Sequence, residues 1–262
     1  MFLARKAALI TGSTSGIGQA TAKLLASKGC SVIVTGSRSP ENAQEPLQDI
    51  QSAAVGNVHY IQCDLRESNN VLNLCNQADQ IFPEGIDILV NNAGVQHVGP
   101  VDEMPLEFWN EIIQVNLTVP FMLCKHVIPS MKKKGWGKII NISSVLGLLA
   151  HCNKSPYITS KTGLVGLTRA VAMDTAAFGI TCNAICPAWT NTPLVVPEAK
   201  IHAEKMNMSL EDAKKDLFTK DSPSGKATEP SQIAGMVLFL CSPDADNMTG
   251  TAIPMDGGET IH

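Results

Sequence analysis

The chain has 262 residues, of which 44% are hydrophobic and 17% charged, and its net charge is −4. A chain of this length forms one large domain or two small ones, and the composition is typical of a soluble globular protein. The weakly negative charge gives no reason to expect a nucleic-acid partner. The absence of an 18-residue apolar run gives none to expect a membrane span.

Strand-like and helix-like segments alternate along the whole chain. In its first half the predicted elements are, in order, a strand at Ala7–Thr11, a helix at Gly18–Ser27, a strand at Ser31–Thr35, a helix at Glu41–Ala53, a strand at Val58–Gln62, a helix at Asn69–Phe82 and a strand at Ile86–Val90. In its second half they are a helix from Leu106 into the Leu123–Met131 region, a strand at Lys138–Ile142, a helix at Tyr157–Phe178, a strand at Thr181–Ile185, a helix at Pro230–Cys241 and a strand at Ala252–Met255.

The predicted strands carry apolar residues at consecutive positions rather than at every second one. Such strands are buried on both faces, which is typical of a parallel sheet covered by helices on both sides. The sequence therefore predicts the α/β class, as a single doubly wound Rossmann-type domain over residues 1–262. Its sheet is expected to be mostly parallel and seven-stranded.

One connection, at about residues 192–229, is much longer than the usual link between a strand and a helix. It holds Lys, Glu, Met and Asp in a helical pattern. It also follows the carboxyl end of a strand, where open α/β sheets bind ligands. We therefore expect a mobile lid over the substrate, with a surface helical hairpin as the alternative.

The cysteines and the N-terminal stretch bear on the cellular compartment. The eight cysteines form no CxxC pair, and Cys182 and Cys186 have no nearby histidine that would complete a zinc site. Residues 1–6 contain neither a secretory apolar region nor an Arg/Ser-rich presequence. The sequence predicts reduced thiols in a cytoplasmic protein, with no metal site.

The first predicted strand leads into a loop with three glycines, Gly12, Gly16 and Gly18. Glycine costs backbone entropy, so each of them indicates a geometric need. Gly12 would turn the chain, Gly16 would let a pyrophosphate approach, and Gly18 would let the helix pack close to the strand. The helix N-terminus would then face the phosphates. A flexible turn is the alternative, but a strand before and a helix after favour dinucleotide binding.

Two further polar stretches follow predicted strands. Asp64 comes after the third strand, where its carboxylate could accept a hydrogen bond from an adenine amino group. The segment Asn91-Asn92-Ala93-Gly94 ends the fourth strand, where small residues leave room for a ribose. Both stretches are also typical of turns. Their shared location at the carboxyl ends of strands favours binding.

Tyr157 and Lys161 lie four residues apart, on one face of a predicted helix that is rich in Gly and Ala. Ser143 and Ser144 close the strand just before them. A surface pair without function is the alternative. A phenol with a pKa near 10 is a poor base at neutral pH, but a nearby ammonium and a positive nicotinamide ring would lower that pKa. This set predicts hydride transfer to or from a carbonyl, with Tyr157 as the acid–base.

Taken together, these stretches resemble the short-chain dehydrogenase/reductase family over essentially the full length of the chain. The TGxxxGxG, NNAG and YxxxK motifs stand in the family's order, together with the Pro187 stretch and the terminal Asp256-Gly257-Gly258. The resemblance implies an enzyme that is mostly tetrameric in the family, so we expect a homotetramer. The helices near residues 106–131 and 157–178 would form its contacts.

The resemblance also implies roles for individual residues. Ser144 would anchor the substrate oxygen, Tyr157 would exchange the proton, and Lys161 would contact the nicotinamide ribose. Asn116 would hold a water that links Lys161 to solvent. The cofactor-binding residues expected from the motifs and the resemblance are Gly12, Thr14, Ser15, Gly16, Ile17, Gly18, Asp64, Leu65, Asn91, Ala93, Gly94, Tyr157, Lys161, Pro187, Thr190 and Thr192.

Within this family the chain is most similar to the bacterial-type enzymes that act on D-3-hydroxybutyrate. That similarity implies that Gln96 and Lys154 bind the substrate carboxylate, beside Ser144 and Tyr157, and that Trp189 closes on the substrate.

Four positions depart from that pattern. Leu146 replaces a histidine, Glu198 replaces a glutamine, Glu259 replaces a tryptophan, and Ala188 replaces the glycine that usually follows the proline. Losing a donor and gaining carboxylates should weaken the binding of a small anion. His151 is a candidate replacement for the missing histidine, and an ordinary loop histidine is the alternative.

The end of the second strand bears on the choice of cofactor. NAD-binding proteins usually place an acid there for the ribose hydroxyls, but this chain has Thr35-Gly36-Ser37-Arg38. Arg38 could meet the 2′-phosphate of NADP. The hydroxybutyrate-type enzymes also lack the acid and use NAD, so NAD is favoured and NADP stays possible.

The predicted function is that of an NAD(P)-dependent oxidoreductase that interconverts a secondary alcohol and a ketone. The first substrate candidate is a short 3-hydroxy acid such as (R)-3-hydroxybutyrate, oxidised to acetoacetate. The alternative is a bulkier or neutral carbonyl compound such as a 3-oxoacyl thioester. A nucleotide-binding protein without turnover is a third hypothesis. The presence of all four expected catalytic residues, Asn116, Ser144, Tyr157 and Lys161, argues against it.

Overall fold

The computed structural model describes residues 3–261, with a parallel β-sheet at its centre. The strands are β1 (Ala7–Ile10), β2 (Ser31–Gly36), β3 (Val58–Gln62), β4 (Ile88–Asn91), β5 (Gly137–Ile142), β6 (Ile180–Pro187) and β7 (Ala252–Met255). They form one seven-stranded sheet in the order β3-β2-β1-β4-β5-β6-β7, and every neighbouring pair is parallel. The predicted seven-stranded doubly wound sheet is confirmed.

The strand order reverses between β1 and β4, whose registers pair Ala8 with Ile88 and Ile10 with Val90. Helices that follow β1 and β4 leave for opposite faces of the sheet at this point. The loops after the two strands therefore separate, and they leave a crevice at the carboxyl edge where ligands bind in open α/β sheets.

Nine α-helices are described in residues 3–261. They are α1 (Gly16–Ser27), α2 (Gln44–Ala53), α3 (Ser68–Ile81), α4 (Leu106–Ile113), α5 (Val119–Lys134), α6 (Ser155–Thr175), α7 (Val196–Met206), α8 (Leu210–Lys220) and α9 (Pro230–Leu240).

Two hydrophobic cores, one on each face of the sheet, hold the helices. Successive strand residues point to opposite faces, so Leu9 belongs to a core with α3 and α5, whereas Ile10 belongs to a core with α1 and α9. The central strands are buried at every position, as expected from their unbroken apolar runs. The edge strands β3 and β7 are only partly buried.

The helices α4 and α5 are joined by a π-helical turn at Gln114–Thr118 and make one continuous helix from Leu106 to Lys134. By length and composition alone, an 18-residue window of this helix, with a mean hydropathy of 1.3, is apolar enough to cross a membrane. Within residues 3–261 it is the one helix of this kind. Its inner face, which includes Leu123, Val127 and Met131, packs against the sheet in the first core.

The long connection after β6 folds into a short 3₁₀ turn at Pro193–Val195, followed by α7 and α8. These two helices share a small hydrophobic cluster of their own, in which Trp189, Leu210 and Phe218 pack against Val195, Ala199 and Leu217. His202 Nε2 and Asp216 Oδ2, 2.7 Å apart, join the two helices further along. The α7–α8 pair is thus held together separately from the two cores on the sheet.

The glycine loop turns as its sequence predicts. Gly12 and Gly16 have φ values of +61° and +54°, in the left-handed region that glycine adopts without strain. A Cβ on Gly18 would lie 2.5 Å from the Gly12 carbonyl oxygen and 2.8 Å from Ser13 Cα. The missing side chain at Gly18 therefore lets α1 begin directly against the loop.

We expect Gly18→Ala to lower the free energy of unfolding by about 1–3 kcal/mol, because the methyl group would meet fixed backbone atoms. Gly235→Ala in α9 is the matched control. Its Cβ would meet nothing within 4 Å, and alanine in a helix interior should stabilise by about 1 kcal/mol. Urea unfolding followed by circular dichroism measures both. Equal effects of the two substitutions would contradict the packing role of Gly18.

Candidate active site

A cavity of about 530 Å³ opens at the carboxyl edge of the sheet, where the loops after β1 to β6 converge. Most residues predicted from the sequence line it, namely Gly12, Thr14, Ser15, Gly16, Ile17, Asp64, Leu65, Ala93, Gly94, Gln96, Ser144, Lys154, Tyr157, Lys161, Pro187, Trp189, Thr190 and Thr192. Gly18, Asn91 and Asn116 lie outside the lining. The structure thus brings residues from almost the whole chain to one elongated site.

The glycine loop forms one end of the cavity and is tied to β2. The Ser13 N–H donates to the Thr35 carbonyl at 2.8 Å, and Ser13 Oγ accepts from the Thr35 N–H at 2.9 Å. Within residues 3–261 no side chain caps the N-terminus of α1, although Ser15 stands at the cap position. The first-turn amides of α1 therefore stay available for an anion such as a pyrophosphate. The loop fits a dinucleotide.

The loop after β4 packs directly on the glycine loop. A Cβ on Gly12 would lie 2.9 Å from Ala93 Cα, so the two backbones touch. Asn92 Nδ2 donates to the Thr11 carbonyl at 2.8 Å and to the Gly12 carbonyl at 3.1 Å. The Asn91 side chain points away from the cavity, since its Nδ2 donates to Asn141 Oδ1 at 2.8 Å inside the sheet. Of the two asparagines, Asn92 fastens the loops together.

Asp64 lies on the cavity wall after β3, where the sequence places an acceptor for adenine. Arg66 holds it through a two-pronged contact, with Nη2 2.6 Å from Asp64 Oδ2 and Nε 2.9 Å from Oδ1. The hydrogen bond from Arg66 lowers the pKa of Asp64. The lowered pKa favours the ionised carboxylate, which could accept a hydrogen bond from a ligand.

The end of β2 bears on the ribose of a cofactor. A Cβ on Gly36 would lie 2.8 Å from Thr14 Oγ1, so no larger side chain fits there beside the glycine loop. Thr35, Gly36 and Ser37 line the cavity, and Arg38 does not. The Arg38 side chain is exposed and follows these lining residues directly in the sequence.

The catalytic candidates meet in the middle of the cavity. Tyr157 and Lys161 lie one turn apart in α6, with the Lys161 ammonium 5.6 Å from the Tyr157 ring centre. Lys161 Nζ donates to the Ile142 carbonyl at 2.8 Å. Ser144 follows β5, and its Oγ accepts from the Leu146 N–H at 3.2 Å. The chain thus holds a hydroxyl, a phenol and an ammonium at one place.

Burial shifts the pKa values of both titratable members in opposite directions. It raises the pKa of Tyr157 to about 12, while the Ser144 hydroxyl opposes that shift and Glu198 adds to it. Burial also lowers the pKa of Lys161 to about 8. This differs from the expected lowering of the Tyr157 pKa, because in the protein alone desolvation disfavours the phenolate more than the Ser144 hydroxyl favours it.

Asn116 sits in the π-helical turn between α4 and α5 and is fully buried. Its Oδ1 accepts from the Val95 N–H at 2.9 Å, and its Nδ2 donates to the Val95 carbonyl at 2.9 Å and to Ser160 Oγ at 3.1 Å. These bonds fix the segment after Gly94 against α6. They occupy both amide hydrogens of Asn116 and one acceptor site of its Oδ1, and the role of Asn116 in holding a water stays a prediction.

Gln96, Lys154 and Trp189 lie together at the outer end of the cavity. Lys154 is 4% exposed, and its Nζ lies 4.8 Å from the Trp189 ring centre. The same Nζ donates to Glu198 Oε2 at 2.8 Å, and Gln96 Nε2 donates to that oxygen at 3.3 Å. Glu198, which belongs to α7, therefore joins the predicted anion-binding residues to the α7–α8 pair.

Leu146, His151 and Glu259 also line this end of the cavity. Leu146 makes the wall apolar beside Ser144. Burial, with Asp221 and Asp256 nearby, raises the pKa of Glu259. Its Oε2 is buried without a hydrogen-bond partner among residues 3–261. The outer end therefore holds Lys154 among several acids.

Exchange of a hydride between an alcohol and a nicotinamide nucleotide needs a cradle for the dinucleotide and a proton donor beside the reacting carbon. This cavity supplies both along one edge of the sheet, so the protein falls in the class of nicotinamide-dependent dehydrogenases built on a doubly wound sheet. A model of the short chain dehydrogenase family matches residues 6–201, and the chain belongs to that family.

Curated relatives and solved structures agree with this assignment. The chain is 41% identical to the D-beta-hydroxybutyrate dehydrogenase of Cupriavidus necator over 97% of both chains. It is 39% identical to the D-beta-hydroxybutyrate dehydrogenase of Rhizobium meliloti over 97% of this chain and 98% of that one. Among solved structures, the F189W actinorhodin polyketide ketoreductase with NADPH has a TM-score of 0.90 and 33% identity, with 98% of each chain covered.

Two contributors fall outside the residues singled out from the sequence. Asn92 stood next to Asn91 in the motif, and only the pleat of β4 decides which of the two faces the glycine loop. Arg66 lies two residues after Asp64, and that spacing is the signal that could have identified it. Both of these residues fix the positions of others.

The shifted pKa of Lys161 predicts how stability depends on pH. The folded pKa of about 8 lies below the ordinary value of 10.5, so the unfolded chain binds more protons between these values and stability rises with pH there. Below about pH 8 the folded protein carries the full cost of burying the ammonium. We expect the gain in melting temperature from Lys161→Met to be largest at pH 7 and to shrink towards pH 10.

Thermal unfolding of the cofactor-free protein at pH 7, 8, 9 and 10 measures this difference. Lys133→Met on the exposed side of α5 is the control, and its effect should stay constant over the series. A Lys161→Met effect that is equally independent of pH would contradict the cost of burial.

Proposed function

We propose that Ser144, Tyr157 and Lys161 carry out the reversible oxidation of a secondary alcohol to a ketone. A nicotinamide nucleotide bound along the cavity supplies the hydride acceptor and donor. Ser144 would hold the substrate oxygen by a hydrogen bond, and Tyr157 would exchange a proton with the same oxygen. Lys161 would bind the nicotinamide ribose. Asn116 would hold the Gly94–Val95 segment against α6.

Because the pKa of Tyr157 is raised, reduction of a ketone and oxidation of an alcohol need different protonation states of its side chain. At neutral pH the phenol is protonated, so it is ready to donate a proton to a ketone oxygen. Alcohol oxidation needs the phenolate, which the positive charge of the oxidised nicotinamide ring and of Lys161 would favour. The lowering of the pKa that the sequence suggests is thus a property proposed for the complex with cofactor.

We propose a short 3-hydroxy acid, such as (R)-3-hydroxybutyrate, as the substrate, with acetoacetate as its product. One observation carries this proposal. A buried lysine, Lys154, faces the cavity beside Gln96 and Trp189, at the end beyond Ser144 and Tyr157. A buried ammonium attracts an anion, and its present partner is the side chain of Glu198, whose place a substrate carboxylate would take. The relatives named D-beta-hydroxybutyrate dehydrogenase support the same substrate class.

A neutral or bulkier carbonyl compound is the second candidate, and Leu146 favours it. This apolar side chain lines the cavity where the resemblance implies a histidine donor. Acids at the outer end, among them Glu198 and Glu259, also disfavour a free anion.

We propose NAD as the cofactor, since the end of β2 resembles that of the hydroxybutyrate-type enzymes, which also lack the acid and use NAD. We also propose that α7 and α8 form the lid of a single domain, as the connection at about residues 192–229 suggests, because their own hydrophobic cluster lets them move as a unit.

Free cysteines, seven of them buried, support a reducing, cytoplasmic environment.

A homotetramer is proposed from the exposed apolar side chains of the helices that the resemblance implicates. Leu106 in α4, Phe121 in α5 and Met173 in α6 are all exposed, Met173 by 87%. Burial between subunits would remove this apolar surface from water. Light scattering of the purified protein would give the molar mass that decides it.

We expect Tyr157→Phe to lower turnover at least about a hundredfold, because the proton donor and acceptor is lost. NADH binding, measured by fluorescence titration, should be retained, since the ring still fills its place. Leu72→Ala, on the exposed side of α3, is the control and should leave turnover unchanged. Unchanged turnover of the Tyr157→Phe variant would remove Tyr157 from its proposed role.

The substrate proposal is tested by NADH production from (R)-3-hydroxybutyrate and from 2-butanol, which lacks the carboxylate. We expect a higher kcat/KM for the acid, and a further rise for the acid in Leu146→His because a donor is restored near Ser144. The same assay with NADP should give lower kcat/KM. Turnover of the acid no faster than that of 2-butanol would refute the short hydroxy acid as substrate.

A further inference from the structure

The proposed binding place for the substrate carboxylate holds a carboxylate of the chain itself. Glu198 Oε2 lies 2.8 Å from Lys154 Nζ and 3.3 Å from Gln96 Nε2. The side chains of Lys154 and Glu198 are only 5% and 14% exposed. The contact is therefore a largely buried ion pair at the cavity wall, unlike a surface pair that water weakens.

In the part of the chain that the structure describes, Lys154 makes one hydrogen bond to an anion, Glu198, and it also interacts through charge with Glu259. Among residues 3–261 its Nζ makes a hydrogen bond to Glu198 and to no other group. Its other close neighbour is the face of Trp189, which attracts a cation but gives no second acceptor. A substrate carboxylate that reaches this ammonium would meet Glu198 already there, and two carboxylates at one ammonium repel each other.

We infer that Glu198 is an internal competitor for the carboxylate of the substrate, so that an acid binds Lys154 only by displacing Glu198. This inference rests on the proposed function at the same site. It makes Glu198 a specificity-determining residue that lowers the preference for acids over neutral alcohols.

The fold allows this displacement because Glu198 belongs to the α7–α8 pair. The pair has its own hydrophobic cluster and its own link between His202 and Asp216. Among residues 3–261, Gln96 Nε2 joins the pair to the loop after β4 through its contact with Glu198. The same Nε2 makes a long contact, 3.5 Å, with the Leu194 carbonyl in the 3₁₀ turn before α7. Release of Glu198 from Lys154 and Gln96 would therefore free this side of the pair without breaking its interior.

Glu198→Gln removes the charge and keeps the size, so it tests the competition. We expect KM for (R)-3-hydroxybutyrate to fall about tenfold, because close buried charge pairs contribute at least that much to binding. The ratio of kcat/KM for the acid to kcat/KM for 2-butanol should rise by the same factor. Glu204→Gln, an exposed acid on the same helix, is the matched control and should leave the ratio unchanged.

A second comparison separates competition from a merely structural role. Lys154→Met should reduce kcat/KM for the acid more in the Glu198→Gln background than in the wild type, because wild-type Lys154 is already neutralised. The double variant leaves no unpaired buried charge, so it also tests the idea if Lys154→Met alone unfolds. If Glu198 only holds Lys154 in place, Glu198→Gln would lower kcat/KM for the acid and leave that for 2-butanol unchanged, so the ratio would fall.

The outcomes distinguish this inference from the proposed function. A wild type that prefers the acid, with the ratio unmoved or lowered in Glu198→Gln, would overturn the inference alone. A wild type and a Glu198→Gln variant that both lack any preference for the acid would overturn both. A preference for the acid that appears only in Glu198→Gln would support the competition and contradict the acid as the wild-type substrate.

Discussion

The contact between the glycine loop and the loop after β4 sets the position of everything else in the site. At the switch point of the sheet these two backbones come close enough that a single Cβ on Gly12 would collide with Ala93. Asn92 fastens the contact by two hydrogen bonds to Thr11 and Gly12 carbonyls. The N-terminus of α1 is thereby fixed beside Gly94, behind which Asn116 and Lys161 converge. The loop proposed to bind the dinucleotide and the lysine proposed to act in catalysis come from distant parts of the chain and are positioned by this one contact.

Burial is the largest cause of the shifted pKa values at the centre of the site. It raises the pKa of Tyr157 and lowers that of Lys161, so both groups move towards their neutral forms. Neither shift requires a second charged residue, and both depend on water being excluded from the inner face of α6. The pKa values of both groups should therefore respond strongly to the charge of a bound ligand. A positive ring placed against the phenol would act strongly in such a low-dielectric setting, which explains why the protein alone does not show the phenolate.

The sequence predicted those features that local patterns determine. Unbroken apolar strands indicated the parallel sheet, and the spacing of Tyr157 and Lys161 placed them on one helix face. The strand–glycine–helix order located the cradle. Features that depend on packing could not be predicted from the sequence. The choice between Asn91 and Asn92 follows from the pleat of β4, and the pKa of Tyr157 follows from burial. The ion pair of Lys154 and Glu198 joins residues 44 apart, one at the start of α6 and one in α7, and no local pattern indicates that contact.

That ion pair also explains how an ammonium can stay buried in the cavity wall without a ligand. An unpaired buried charge costs several kcal/mol, so Lys154 without a counter-ion would weaken the fold or draw in water. Glu198 supplies that counter-ion in the free protein, and a neutral glutamine would supply only a dipole. The same carboxylate that stabilises the site must then be displaced before an acid can bind. The contact of Glu198 Oε2 with Lys154 therefore stabilises the free site and at the same time weakens the binding of an acid. The residue at position 198 determines how large each of these two effects is.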